Sequence, residues 1–198
     1  GYDQEDYRNI KPKKLNEFNI VYAGKFRVSA GFRNPQNIFK AIKIINDKGK
    51  HVNFIHVGQP EEDVIELTKT EGVENYCHFV GRKSYKESLE YCKGADILLV
   101  IGGNEKSEQT GKIFDYMGCA KPIIALANKD SEITEVCKKA DDIYCIDKDD
   151  IDKMVSTIIK IIDNPKEINK SVLLKEYTRE YLTKKLVDIL DKINMKGK

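Results

Sequence analysis

The chain has 198 residues, 40% of them hydrophobic and 33% charged, with 34 basic side chains against 32 acidic ones. That length sets a prior of about one domain, able to bury roughly 70% of its unfolded surface, and a net charge of +2 is too balanced to argue for nucleic acid or a membrane surface as partner. No apolar run approaches the ~20 residues of a membrane span and none reads as a secretory signal, while the scattered Cys77, Cys92, Cys119, Cys137 and Cys145 read as reduced core residues of a cytoplasmic protein rather than a disulfide or zinc framework.

Residues 1–17 are polar and without periodicity, and read as an arm or linker. Phe18 to Ala23 is a first strand closed by Gly24, followed by a basic loop from Lys25 to Arg33. Asn34 is a helix cap with Pro35 at the first helical position, and Ile38, Ala41, Ile42 and Ile45 recur at i, i+3, i+4, i+7, one face of a helix. Val52 to Val57 is the second strand, closed by Gly58; Pro60 to Thr70 is a helix with Val64, Ile65 and Leu67 inward; Cys77 to Val80 is a short third strand, closed by Gly81. Ser84, with Glu87 three residues on, makes a capping box for a helix to Lys93. His51, His56 and His78 sit in or beside strands and read as structural histidines.

Asp96 to Ile101 is a near-continuous apolar run, which needs cover on both faces as in a parallel sheet between helices. Gly102-Gly103 ends it, a polar loop follows, and Thr110-Gly111-Lys112 opens a short helix burying Ile113, Phe114 and Met117. Lys121-Pro122 stops that helix before a strand to Leu126. Asp130 or Ser131 caps a helix through Lys139, Ile143 to Ile146 is the last strand, and Asp149 or Asp150 begins a helix carrying Met154, Val155, Ile158, Ile159 and Ile162. A final amphipathic helix runs from about Val172 to Ile193, with Leu182, Leu186, Ile189 and Ile193 on one face.

Six strands alternating with helices predict an α/β fold, a Rossmann-like doubly wound parallel sheet with helices on both faces, over 18–170, with 171–198 as C-terminal helix and tail. Ligands of such sheets bind outside the carboxyl ends of the strands. There a helix N-terminus, a glycine permitting close approach and Lys112 suit an anion such as phosphate. Several other sites are excluded. The first strand is not followed by GxGxxG, no GxxxxGK[ST] or GxSxG occurs, and Ala23-Gly24 stands where a receiver domain has acids.

The motifs, in order, resemble the C-terminal nucleotide-binding half of GT-B fold glycosyltransferases, in particular family 4, the group 1 transferases. Gly1-Tyr2-Asp3 resembles the segment leading into that half; Val21 to Lys25 its first strand and phosphate loop; Arg33-Asn34-Pro35 the opening of its first helix; His78 to Arg82 its next glycine-ended strand. Thr110 to Met117 and Gly118 to Ala125 resemble the "GK-hydrophobic-F-E-Y-L…GKPI" core. The resemblance implies that Gly24, Lys25, Arg33, Thr110, Gly111 and Lys112 meet the donor diphosphate, with Lys25 and Arg33 competing for one role. Asp115 stands at the second glutamate of the family's E-x7-E motif, expected to hold the donor ribose. The first glutamate falls at Ser107, with Glu105 and Glu108 beside it; Glu108 is the candidate for the donor sugar. Gly81 and Arg82 fall where the base is gripped. The i, i+3 pair Lys112–Asp115 and the i, i+4 pair Glu108–Lys112 are also the spacings of ordinary surface ion pairs.

Fixed cations and a helix N-terminus would stabilise the charge that builds on a departing nucleoside diphosphate without a metal or other cofactor. The implied partners are a nucleotide-sugar donor and an N-terminal GT-B half outside this chain, with no nucleic acid and membrane contact only through that half. The implied setting is the cytoplasm or the inner face of the membrane. The final helix packs toward the other half in this family, which implies an exposed apolar face here. The expected function is donor binding in polysaccharide or glycoconjugate synthesis, the isolated domain being inactive. The alternatives are a sugar-nucleotide epimerase domain and a non-catalytic α/β interaction module.

Overall fold

A computed structural model describes residues 1–26, 28, 33–102, 111–139, 141–164 and 175–196, with side chains through residue 193. In chain order the elements are α1 (Glu5–Arg8), β1 (Phe18–Ala23), α2 (Gln36–Asp47), β2 (Val52–Val57), α3 (Glu62–Thr70), β3 (Cys77–Phe79), α4 (Tyr85–Gly94), β4 (Ile97–Ile101), α5 (Lys112–Cys119), β5 (Ile123–Leu126), α6 (Glu132–Cys137), β6 (Ile143–Ile146), α7 (Ile151–Asp163) and α8 (Arg179–Lys196). Short 3-10 turns occupy Glu74–Tyr76 and Lys175–Tyr177.

The six strands pair in parallel in the order β3-β2-β1-β4-β5-β6. The direction of winding reverses between β1 and β4, which opens a crevice at their carboxyl ends. All five residues of β4 are buried, as its unbroken apolar run requires. Its side chains alternate between two cores. Leu98 and Val100 join Leu89 of α4, Ile113 and Met117 of α5, and Ile133 of α6. Leu99 and Ile101 join Ile38 and Ile42 of α2, Val64 of α3, and Met154 and Ile158 of α7. This is the Rossmann-like sheet covered on both faces.

Local signals set the helix starts. Ser84 Oγ accepts from Glu87 N at 3.2 Å while Glu87 Oε2 accepts from Ser84 N at 3.0 Å, closing the capping box. Asp150 Oδ1 accepts from Lys153 N, so the cap of α7 is Asp150 and not Asp149. Asn34 Oδ1 accepts from Gln36 N, and Pro35 stands at the cap rather than inside α2, its carbonyl taking Phe39 N–H. Asp96 precedes β4 instead of beginning it, because its carboxylate accepts from Asn19 N at 2.8 Å at the foot of β1.

Four further sequence expectations change. The buried residues of α3 are Val64 and Thr68, with Ile65 and Leu67 only half-buried. The buried side of α5 is Ile113, Tyr116, Met117 and Cys119; Phe114 is half-buried, 5.2 Å from the Tyr177 ring. The last helix begins at Arg179 rather than at Val172, which lies outside the described residues, and Lys175–Tyr177 is a 3-10 turn. Its expected face is open: Leu182, Leu186, Ile189 and Ile193 are 38%, 56%, 46% and 60% exposed. The first residues, read as a polar arm, are anchored. Tyr2 and Tyr7 are buried, and their rings meet edge to face at 5.6 Å. Tyr2 N donates to Tyr177 O at 3.1 Å and Arg179 N to Tyr2 O at 2.9 Å, tying the two ends of the described chain together. The five cysteines are free thiols, all buried except half-buried Cys145.

Candidate functional site

A cleft of about 740 Å³ opens beyond the carboxyl ends of β1 and β2. Ala23, Gly24 and Lys25 form one wall and Val57, Gly58 and Gln59 the next. Arg82 and Lys83 stand at the rim, and α4 and α5 cover the far side with Tyr85, Leu89, Lys112 and Asp115.

The loop after β1 is shaped by close approaches and by side chains from three elements. Gly24 has φ +136°, and a Cβ there would lie 2.5 Å from Lys112 Nζ. Glycine is therefore what lets the ammonium reach the loop. Gly58 serves the same approach from β2: a Cβ on it would lie 2.8 Å from His56 Nε2 and run into Gly24 O. Tyr116 Oη accepts from Ala23 N at 2.8 Å and Tyr22 Oη donates to Lys25 O at 2.8 Å. Phe26 is buried, stacked on Tyr22 at 4.3 Å, and its N–H donates to Glu61 Oε1 at 3.2 Å.

His56 is fully buried, with Nε2 2.6 Å from Gly24 O. A carbonyl only accepts, so Nε2 carries the proton and the ring holds the loop as a donor. Burial pushes its pKa below the usual histidine value, and the ring is neutral at neutral pH. The structural reading of His56 holds, and the structure adds what it supports.

Lys112 is the first residue of α5. Its Nζ stands 3.9 Å from the centroid of the Tyr22 ring, a cation–π contact. Burial, and then the Arg33 guanidinium nearby, bring the ammonium down to about 7. An anion entering the cleft would supply the counter-charge and restore the proton. Asp115, one turn along α5, is half-buried; burial raises its carboxyl above the ordinary value against the pull of Arg179. The two sides of the cleft thus differ: a cation by the glycine loop and a carboxyl by the N-terminal segment.

Of the candidate residues read from the sequence, Gly24, Lys25, Arg82, Gly111, Lys112 and Asp115 line this one cleft. Arg33 is not among the lining residues but adopts φ +38° and acts on Lys112. Gly81, at φ +73°, lies behind the wall, its carbonyl accepting from Gly58 N at 3.1 Å. Thr110, Glu108, Ser107 and Glu105 lie outside the described residues. Sequence reasoning missed Gln59, Lys83 and Tyr85 on the cleft and Glu61 and His56 beneath it. Only His56 had a signal, a polar residue inside an apolar strand. Among the described residues no three His, Cys, Asp or Glu side chains converge as a metal site would require, and no helix is long and apolar enough to cross a membrane.

Residues 3–181 match the family model described as glycosyl transferases group 1. The chain belongs to the group 1 glycosyltransferase family. No curated protein sequence matches it significantly. Among solved structures, this group 1 chain is similar in fold to HepE of Anabaena in complex with UDP, with TM-score 0.74 and 14% identity over 97% of this chain and 56% of that one. It is similar to sucrose-phosphate synthase of Thermosynechococcus elongatus, with TM-score 0.72 and 13% identity over 98% of this chain and 51% of that one. It is also similar to the C-terminal domain of the group 1 family protein LpcC of Francisella tularensis, with TM-score 0.64 and 16% identity over 94% and 98%. The chain thus spans about half the length of HepE and of sucrose-phosphate synthase.

Proposed function

We propose that this chain is the donor-binding, C-terminal half of a family 4 GT-B glycosyltransferase acting in polysaccharide or glycoconjugate synthesis at the cytoplasmic side. The observation that carries the reading is the half-buried Lys112, its ammonium brought against Gly24 at the mouth of a cleft that also holds Asp115. A nucleotide-sugar donor has the matching chemistry. Its diphosphate meets Lys112, Lys25, the Gly111 end of α5 and the Arg33 charge, and its ribose diol donates to Asp115. The base lies against the Gly81–Arg82 side, and Glu108 and Thr110, outside the described residues, keep the sugar and phosphate roles that the family resemblance implies. When the sugar leaves, negative charge builds on the β-phosphate, and Lys112 with the helix N-terminus stabilises it without a resident metal. The C-terminal fold of LpcC, matched over nearly its whole length, and the UDP held by HepE support the placement and the ligand class. An N-terminal half supplies the acceptor site, and this half alone transfers no sugar.

The test is a nitrogen-15 NMR titration with UDP, GDP and ADP, repeated on Lys112→Ala. The expected result is shifts confined to Gly24, the Gly58 and Arg82 walls and the first turn of α5 with one nucleotide, weakened at least about tenfold by the substitution. No shift with any nucleotide at millimolar concentration would transfer the reading to a non-catalytic interaction module.

A further inference from the structure

Tyr7 carries a buried polar atom that the donor site does not yet use. The residue is 5% exposed, and its hydroxyl has no hydrogen-bond partner among the described residues. A buried hydroxyl left in this state costs free energy unless something completes it. Its placement is fixed by shape. A Cβ on Gly118 would lie 2.7 Å from Tyr7 Cε1 and closer still to the hydroxyl-bearing end of the ring, so the ring is seated on the bare backbone of α5. Gly118 and Asp115 are three residues apart, hence on one face of that helix. Asp115 and Tyr85 lie within reach of the hydroxyl and each perturbs its titration, but it closes no hydrogen bond of full geometry with either. Burial, then Tyr85 and Asp115, raise its pKa, so it remains a donor at any ordinary pH. Asp115 lines the cleft, and Tyr85 beside it meets Asp6 Oδ2 at 3.5 Å.

We propose that Tyr7 is a positioning residue for ribose recognition: in the nucleotide-bound state its hydroxyl donates to one Asp115 oxygen, which turns the other oxygen toward the ribose diol. The proposal rests on the donor-site reading above. It gives the N-terminal segment a task in selectivity. That segment is held against α5 by its ring on Gly118 and against the start of α8 by the Tyr2 hydrogen bonds, so Asp115 is oriented by residues far from it in sequence. It also explains how the shorter Asp115 can serve a ribose, since a carboxylate with one oxygen pinned presents the other in a single direction.

The experiment compares calorimetric affinities of the diphosphate that binds best (UDP, GDP or ADP) and its 2′-deoxy counterpart for the full chain, Tyr7→Phe and Asp115→Asn. Tyr7→Phe keeps the ring on Gly118 and removes only the hydroxyl. The expected result is a ribose preference of about tenfold in the parent chain, mostly lost in Asp115→Asn, and cut about fivefold in Tyr7→Phe with deoxynucleotide affinity unchanged. Tyr7→Phe added to Asp115→Asn should have no further effect on the preference, because the hydroxyl acts through that carboxylate. A purely structural Tyr7 would weaken both nucleotides equally or neither, and that result overturns the proposal while leaving the donor site standing. Absence of binding by all three nucleotides to the parent chain overturns both together.

Discussion

At the scale of single residues the site turns on Lys112, a cation whose proton is loosely held. In the free protein its pKa is brought down to about 7, because burial penalises the charged form and Arg33 adds a like charge. A bound diphosphate reverses both effects, so its pKa rises on binding. Below pH 7 both states are protonated and affinity is flat. Above pH 7 the free protein loses the proton and the complex keeps it, so binding takes up about one proton and affinity falls by up to tenfold per pH unit. Isothermal titrations of nucleoside diphosphate at pH 8, in HEPES and in Tris, should give enthalpies that differ by about one buffer ionisation. Lys112→Arg, always charged, should show no such difference; equal enthalpies in the parent chain would refute the assignment. The place of Lys112 beside the glycine loop was legible in the sequence, because a glycine and a lysine opening a helix after a buried strand suit an anion, although the same spacings also serve surface ion pairs. Glu61, Tyr22 and Tyr116 were not, since each holds the loop only through hydrogen bonds to backbone, which leaves no period or spacing to read.

At the scale of elements, strands and helices followed from apolar period, glycine stops and side-chain caps; the shifts at Asp96 and Pro35 are of one residue, and cap geometry decides between Asp149 and Asp150. The N-terminal segment was opaque for a different reason. Tyr2 and Tyr7 stand five apart among charged and polar residues, a spacing that belongs to neither helix nor strand, and their partners are Gly118 and Tyr177, more than 100 positions away. The close seat of Tyr7 on α5 predicts the outcome of Gly118→Ala. Helix propensity alone would favour alanine by about 1 kcal/mol. The added methyl instead meets the Tyr7 ring, and overpacking of this kind costs about 1–3 kcal/mol. The net expectation is a lower melting temperature and faster tryptic cleavage at the exposed Arg8 and Lys14, read by limited proteolysis. Faster cleavage with Gly118→Ala but not with Tyr7→Phe would separate the ring's packing from its hydroxyl; unchanged cleavage in Gly118→Ala would show that the segment does not depend on this seat.

At the scale of the whole molecule, buried titratable groups sit on both faces of the sheet: His56 and Cys77 pack with the residues under α2 and α3, Cys119 with those under α4 and α5, and Lys112 lines the cleft. Stability therefore depends on pH, in part through a residue of the cleft. Lys112 falls from 10.5 to about 7 on folding, and the Cys145 thiol, beside the Cys137 thiol and Thr134 Oγ1, is lowered from the ordinary thiol value of 9.0. For both, the unfolded chain holds more protons than the folded one between the lowered and the ordinary value, so stability must rise with pH through the interval from 7 to 9. His56, also lowered, acts in the same sense on the acid side of 6.5. Beyond 9 the sign reverses, because the buried Cys77 thiol, pushed up to about 12, and the Cys119 thiol, also raised, keep their protons when folded and together outweigh Lys112. The urea midpoint of the free chain should climb from pH 6.5 to about 9 and then fall, each group contributing at most about 1.4 kcal/mol per pH unit. Lys112→Met should flatten the climb, leaving the part due to Cys145. Saturating nucleotide should flatten it as well, because the bound diphosphate keeps Lys112 protonated. A midpoint that falls steadily from pH 6.5 would mean that the ammonium is not buried in the free protein. A climb in the parent chain that nucleotide leaves intact would mean that the ligand binds elsewhere.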